Sequence, residues 1–262
     1  MIQELAATTA TTPAAGLVLE LSGVTVSFDG LAVLDGLDFS MADGELRFLI
    51  GPNGAGKTTM LDVITGRTRP RAGSVRYDGH VDVTTRQEHE LVRLGIGRKF
   101  QTPAVFRSLT LFENLEVAST FKQAWPSFLR KLRGAERDRI MDTLETIGLA
   151  YRAHDIAGEL SHGELQWLEI GMLLVQEPKL LLLDEPVAGM TRPERDKTGQ
   201  LLRSIAGRHS ILVVEHDMAF VREYAQTVSV LHLGKLLSEG PVQAVQSDPK
   251  VVEVYLGHRH ER

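Results

Sequence analysis

Apolar positions along the chain fall into three rhythms, each predicting a different kind of element. From Leu17 to Phe28 (LVLELSGVTVSF), and again from Leu31 to Met41, apolar and polar residues alternate on either side of the turn-forming pair Asp29-Gly30. That is the mark of antiparallel strands with one face buried. Leu46–Ile50, Lys179–Leu183 and Ser210–Val214 are instead almost continuously apolar, as expected of parallel strands covered on both faces. Gly73–Gly79 reads as a further strand between two turns, and Thr227–Leu237 as a hairpin around Gly234. The helical period appears after Lys57, over residues 86–97 with a close at Gly95-Ile96-Gly97, and from Thr110 to Ala118. Helical patterns dominate from Phe112 to Leu160, with Gly148 as a stop, and an amphipathic run, LQWLEIGMLLVQ, ends at Pro178. The pattern predicts an α/β core, a mostly parallel sheet with flanking helices. An antiparallel β-subdomain precedes it, and a helical subdomain of approximately residues 102–165 is inserted in it. One domain over 17–258 is expected, with tails at 1–16 and 259–262.

Composition narrows the function classes. The chain has 262 residues, 29 basic and 34 acidic, for a net charge of −5. The mixture of signs argues against a broad nucleic-acid-binding face. No apolar run reaches the eighteen or so residues that span a bilayer. Glu4 stands where a secretory signal would be basic, and the first residues read as a disordered tail. Cysteine is absent, so there is neither a disulfide framework nor a thiolate metal site, which fits a cytosolic protein.

The sharpest chemistry lies where the strand Leu46–Ile50 meets a helix: Gly51-Pro52-Asn53-Gly54-Ala55-Gly56-Lys57-Thr58-Thr59. This is the P-loop pattern between the two elements it requires. Glycines at 51, 54 and 56 free the backbone to turn successive N–H groups inward around phosphate oxygens. Lys57 then reaches the β- and γ-phosphates, the Thr58 hydroxyl ligates Mg²⁺, and the helix presents its positive end to the anion. By itself the loop means a nucleoside triphosphate.

Other candidates gain weight from this one. The strand Lys179–Leu183 delivers Asp184-Glu185 to the carboxyl edge of the sheet, where Asp184 suits the Mg²⁺ shell and Glu185 a base orienting the attacking water. Ser210–Val214 ends at Glu215-His216-Asp217, bringing His216 to the same edge as a γ-phosphate contact. Ser161 and Glu164, in Leu160-Ser161-His162-Gly163-Glu164, have capping-box spacing. Such a helix end behind Gly163 is also an anion site able to face a phosphate from another subunit. Phe28 closes its strand, either to stack on a nucleobase or as a core or edge aromatic. Gln101 ends a short strand, and Pro103 keeps the next residues out of helix.

Taken together and in order, GPNGAGKTT, Gln101, LSHGE, LLLLDEP and His216 resemble the ATP-binding subunits of ABC transporters from Leu17 onward. The resemblance implies a P-loop NTPase core of the ABC type that binds ATP with Mg²⁺. Phe28 matches the adenine-stacking aromatic, and Gln101 the residue that senses catalytic water and Mg²⁺ and links the site to the membrane subunit. Ser161, His162, Gly163 and Glu164 match the signature segment that meets ATP held by the opposite subunit. Ala188–Thr191 match the loop that crosses the dimer interface, Glu185 the catalytic base and His216 the switch histidine. The usual signature is LSGGQ; here His162 replaces a glycine and Glu164 the glutamine. A carboxylate there is expected to offset the helix-end potential and slow hydrolysis.

Further stretches, GIGRKFQTPAVFRSLTLFENLEVA, LSHGELQWLEIGMLL and VVEVYLG, resemble the importer subgroup for hydrophobic amino acids and urea. LSHG followed by QWLEIGM is closer to the urea-type subunit than to the leucine-type one. The implied partners are a second ATP-binding subunit, identical or paralogous, and two transmembrane permease subunits, with an extracytoplasmic solute-binding protein acting indirectly. The implied place is the cytoplasmic face of the cell membrane. Two other classes compete. A soluble ABC-type ATPase acting on ribosomes or nucleic acid usually has two cassettes or a long coiled-coil insertion. A P-loop kinase or GTPase leaves LSHGE and His216 unexplained.

Overall fold

The computed structural model describes residues 16–99, 104–120 and 133–257. Its strands in chain order are β1 (Leu17–Phe28), β2 (Leu31–Ala42), β3 (Leu46–Ile50), β4 (Ala72–Tyr77), β5 (Val81–Asp82), β6 (Ile96–Lys99), β7 (Leu180–Asp184), β8 (Ser210–Val214), β9 (Thr227–His232) and β10 (Lys235–Pro241). The helices are α1 (Lys57–Ile64), α2 (Glu88–Leu94), α3 (Leu111–Thr120), α4 (Gly134–Thr146), α5 (His162–Leu174), α6 (Arg192–Ile205), α7 (Met218–Tyr224), α8 (Val242–Ser247) and α9 (Pro249–Gly257).

Two sheets result. The first, antiparallel, has the order β2-β1-β4-β5. Its leading hairpin pairs Phe28 with Leu31 across Asp29 (φ 49°) and Gly30 (φ 85°), two positive-φ residues as a tight hairpin with right-handed strand twist requires. The second sheet runs β10-β9-β3-β8-β7-β6, with β3, β6, β7, β8 and β9 mutually parallel and β10 antiparallel at one edge.

The continuously apolar strands are buried on both faces, each face feeding a different core. Leu181, Leu183, Phe48, Ile211 and Val213 pack in a core with α5, α6 and α7. Leu180, Leu182, Leu49, Leu212 and Val214 pack in a second core with α1 and the antiparallel sheet. Because β3, β8 and β7 are adjacent and parallel, their carboxyl ends open on one edge, the usual place for a ligand in such sheets.

The structure moves three sequence expectations. The helix expected over 86–97 stops at Leu94, since Gly95 at φ 108° caps it; Ile96 and Gly97 begin β6. A Cβ on Gly95 would come within 3.2 Å of the Lys179 nitrogen, so the close approach of β6 to β7 ends the helix there. The helix expected from Thr110 starts at Leu111, because Thr110 hydrogen-bonds the Glu113 carboxylate through both N (2.8 Å) and Oγ1 (2.9 Å). The α5 run is not amphipathic: Leu165, Gln166, Trp167, Leu168, Glu169 and Ile170 are all buried, as suits a helix packed on several sides.

Candidate functional site

The site begins in the turn after β3. Gly56, at φ 102°, occupies the position before α1; a Cβ there would lie 2.7 Å from Leu34 Cδ2 and 2.8 Å from the Val33 oxygen. At Gly51 a Cβ would lie 2.2 Å from the Leu231 oxygen. The loop is therefore wedged between β2 and β9, and only glycine lets it wrap. The Lys57 ammonium donates to the carbonyls of Gly51 (2.7 Å) and Pro52 (3.0 Å), folding the side chain back over the loop. Burial lowers its pKa, while the Glu185 and Asp184 charges pull it back up.

Asn53, Gly54, Ala55, Gly56, Lys57, Thr58 and Thr59 line one open cleft with Val33, Asp184, Glu185 and Val214. β7 ends on Asp184, which is 4 % exposed. Burial pushes its carboxyl pKa up and Glu185 adds to the rise; Arg98, Lys57 and Lys99 oppose it. Glu185 follows in the left-handed region at φ 48°, a conformation costing a non-glycine residue on the order of 1 kcal/mol and concentrated at functional sites. Its N–H is held by the Val214 oxygen at 2.9 Å. From the end of β8, His216 Nδ1 comes within 3.2 Å of Glu185 Oε1. The three strand ends thus bring Lys57, Thr58, Asp184, Glu185 and His216 together.

Phe28 and the Ser161–Glu164 segment do not line this cleft. Phe28 is 50 % exposed on the hairpin, which removes the core-aromatic reading and leaves an edge ring open to stacking. Ser161 caps α5, its Oγ accepting from Glu164 N at 3.2 Å while Glu164 Oε2 accepts from Ser161 N at 2.9 Å. Gly163 is buried, whereas Ser161 and His162 face solvent. Gln101 lies outside the described residues.

Several contributors escaped the sequence reading. Arg152 donates to both oxygens of Glu164 at 3.0 Å. Burial would raise the Glu164 pKa, but the Ser161 N–H and the Arg152 guanidinium hold it below the usual carboxylate range. The carboxylate expected to weaken the helix end is therefore balanced by a neighbouring cation. Glu215, 1 % exposed, accepts from the backbone N–H groups of Val187 (3.3 Å), His216 (3.1 Å) and Asp217 (3.4 Å). Burial raises its pKa against those three donors. It joins the loop after Glu185 to the histidine. Lys99 and Glu169 form a buried pair at 3.5 Å between β6 and α5; a glutamate inside LQWLEIGMLL was the available signal for it.

The arrangement fits a nucleoside triphosphate with Mg²⁺. Among the described residues no cluster of three or more His, Cys, Asp or Glu stands ready to hold a metal. Thr58 and Asp184 beside an anion-binding loop are a partial donor set, which suits an ion that takes its remaining ligands from phosphate and water.

Comparison with known proteins decides the family. The ABC transporter family model matches residues 34–188, more than half of the chain. The chain belongs to the ABC transporter ATP-binding family. A second model, branched-chain amino acid ATP-binding cassette transporter, matches residues 235–261. The high-affinity branched-chain amino acid transport ATP-binding protein BraF of Pseudomonas aeruginosa is 33 % identical over 253 residues, covering 92 % of this chain and 98 % of its own. LivG of Escherichia coli, described in the same words, is 33 % identical over 252 residues with the same coverage. The ADP conformation of MJ1267, an ATP-binding cassette of an ABC transporter, superposes with a TM-score of 0.81 at 32 % identity, covering 92 % of this chain and 99 % of that one. A dimeric post-hydrolysis cassette, MJ0796 with ADP and Pi, superposes with a TM-score of 0.72 at 26 % identity, covering 86 % and 98 %. The fold is thus the ABC ATPase cassette, and the cassette is an ATPase using ATP with Mg²⁺. The urea expectation finds no support in relatives named for branched-chain amino acid transport.

Proposed function

We propose that this cassette powers an importer of branched-chain or other hydrophobic amino acids. The observation that carries the hydrolytic part is the convergence of Lys57, Asp184, Glu185 and His216 at one sheet edge, with His216 Nδ1 3.2 Å from Glu185 Oε1. The solute assignment rests on the names of the relatives. Urea, favoured by LSHG and QWLEIGM, is the second reading.

In this mechanism backbone N–H groups of the turn from Asn53 to Thr58 and the Lys57 ammonium bind the phosphates, the ammonium exchanging the Gly51 and Pro52 carbonyls for phosphate oxygens. Thr58 and Asp184, with Gln101 assigned to the same shell by family resemblance, would hold Mg²⁺, which when bound would supply positive charge against the negative charge developing on the phosphates. The Glu185 carboxylate accepts a proton from the attacking water, and His216 orients Glu185 and contacts the γ-phosphate. Phe28 and its hairpin supply a stacking surface for the base.

Ser161, His162, Gly163 and Glu164 lie off the cleft of their own chain, so they serve ATP held by a second ATP-binding subunit, the arrangement for which the dimeric relative is a precedent. Two permease subunits complete the assembly and attach it to the cytoplasmic face of the membrane, a solute-binding protein delivers cargo from outside, and nucleic acid has no part. Among the described residues no helix is long and apolar enough to cross a membrane. Residues 17–258 act as one unit, with approximately 102–165 as its helical insert.

Uptake of labelled leucine and labelled urea in source cells carrying Glu185→Gln on the chromosome tests the reading. Loss of leucine uptake alone is expected. Loss of urea uptake alone would establish the second reading; normal uptake of both would remove the importer assignment.

A further inference from the structure

Two segments that the mechanism uses separately are joined within one subunit. His162 Nε2 lies 3.1 Å from the Ala188 carbonyl oxygen, in the loop that follows Asp184-Glu185. A carbonyl only accepts, so Nε2 carries the hydrogen. The loop is shaped to admit the ring: Gly189 sits at φ 72°, and a Cβ on it would come 3.3 Å from Nε2. Gln166, 2 % exposed and one turn along α5, has its amide nitrogen 3.5 Å from the same Nε2; with the ring hydrogen committed to Ala188 both nitrogens are donors, so that contact adds no bond. The same end of α5 also meets α6, which follows that loop, where Ser161 Oγ donates to Glu194 Oε1 (3.4 Å). At Gly163 a Cβ would come 2.4 Å from the Glu194 oxygen. Deeper in, Trp167 Nε1 donates to Thr198 Oγ1 at 2.9 Å, and the Lys197 ammonium lies 3.8 Å from the Trp167 ring centre.

We propose that His162 is a positioning residue that fastens the ATP-facing end of α5 to the loop after Glu185. The path is short. His162 holds Ala188 O, and Ala188 N donates to the Glu185 oxygen at 3.2 Å. Movement of the signature segment on meeting a partner's ATP is thereby passed to the backbone of the strained Glu185. The usual LSGGQ has glycine at this position and no side chain to make the bond, so the device belongs to sequences with a donor there. The functional half rests on the proposed roles of Ser161–Glu164 and Glu185.

The test uses the full chain as wild type, His162→Gly and His162→Gln; the glutamine amide can replace Nε2 as a donor. Hydrogen–deuterium exchange of a peptide spanning 186–191 is read first on the isolated subunit, where the Ala188 and Met190 amides close the loop through 3.2 Å bonds to Glu185 O and Val187 O. His162→Gly should speed exchange there by about 2- to 10-fold, the range set by one net hydrogen bond, and His162→Gln should restore it. In the assembled transporter, His162→Gly should lower kcat by a similar factor, with KM for MgATP within about twofold, again rescued by glutamine. Unchanged loop exchange in His162→Gly would overturn the proposal. So would a rise in KM at constant kcat, which would make His162 a direct nucleotide contact. Failure of the underlying hydrolytic reading would show separately, as normal turnover in Glu185→Gln.

Discussion

At the scale of single residues, the site pairs functional need against stability. Asp184 is buried at the end of β7 and its carboxyl pKa is raised, chiefly by desolvation. A folded-state pKa above the unfolded value means that the folded chain binds the proton more tightly, so ionisation destabilises it. That cost is present at neutral pH and disappears as pH falls through the raised value. Asp184→Asn should therefore raise the Tm of the nucleotide-free cassette at pH 7, by about 2–4 °C for each kcal/mol relieved. The gain should shrink towards acid pH, and calorimetry with and without MgATP should show the Mg²⁺-dependent stabilisation lost. A lower nucleotide-free Tm in this variant would mean that Asp184's attraction to Arg98, Lys57 and Lys99 outweighs its desolvation. Glu185 behaves differently, being exposed enough to meet His216 and strained at φ 48°. Glu185→Gln should slow turnover by about 10²- to 10⁴-fold, the usual worth of a general base, while nucleotide affinity by fluorescence titration changes little.

At the scale of elements, the N-terminus of α5 shows what sequence alone conveys and what it withholds. The capping box was legible because Ser161 and Glu164 are three residues apart, a local relation that helix geometry turns directly into hydrogen bonds. Arg152 was not, because the turns that carry it back to Glu164 depend on packing of the helical insert. The same division holds elsewhere. β3 was legible as an apolar run entering a glycine-rich loop, and β7 and β8 as apolar runs ending in charge, whereas the pair Lys99–Glu169 and the three donors around Glu215 exist only once distant segments meet. The sequence also suggested a solvent face on α5, because period alone does not reveal how many neighbours a helix has. The Arg152 contact makes a prediction that the motif does not. Arg152→Ala should leave Glu164 as an uncompensated negative charge at the helix end and raise KM for MgATP by several-fold. Adding Glu164→Gln should recover most of that loss, and a double-mutant cycle on steady-state ATPase rates measures the coupling. Additive effects of the two substitutions would show that the charges do not communicate with bound phosphate.

At the scale of the whole molecule, the residues assigned to ATP do not all meet within one chain. The P-loop, Asp184 and Glu185 line one cleft, while Ser161 and His162 are exposed and do not line it. In the proposed function ATP joins a cleft from one subunit to a helix end from another. ATP must then favour the closed pair by its differential affinity for that state, and loss of the γ-phosphate must release it. The consequence is measurable on the isolated chain. With Glu185→Gln blocking hydrolysis, MgATP should shift the 28.9 kDa cassette to about twice that mass in light scattering, whereas ADP should leave it unchanged. Placing Ser161→Arg in the same background should abolish the shift without weakening ATP binding to the cleft, since Ser161 contributes nothing to the phosphate loop of its own chain. A preparation that stays monomeric with ATP would point to an obligate second kind of ATP-binding subunit. Mixing it with that subunit should then produce the same ATP-dependent increase in mass, again lost with Ser161→Arg.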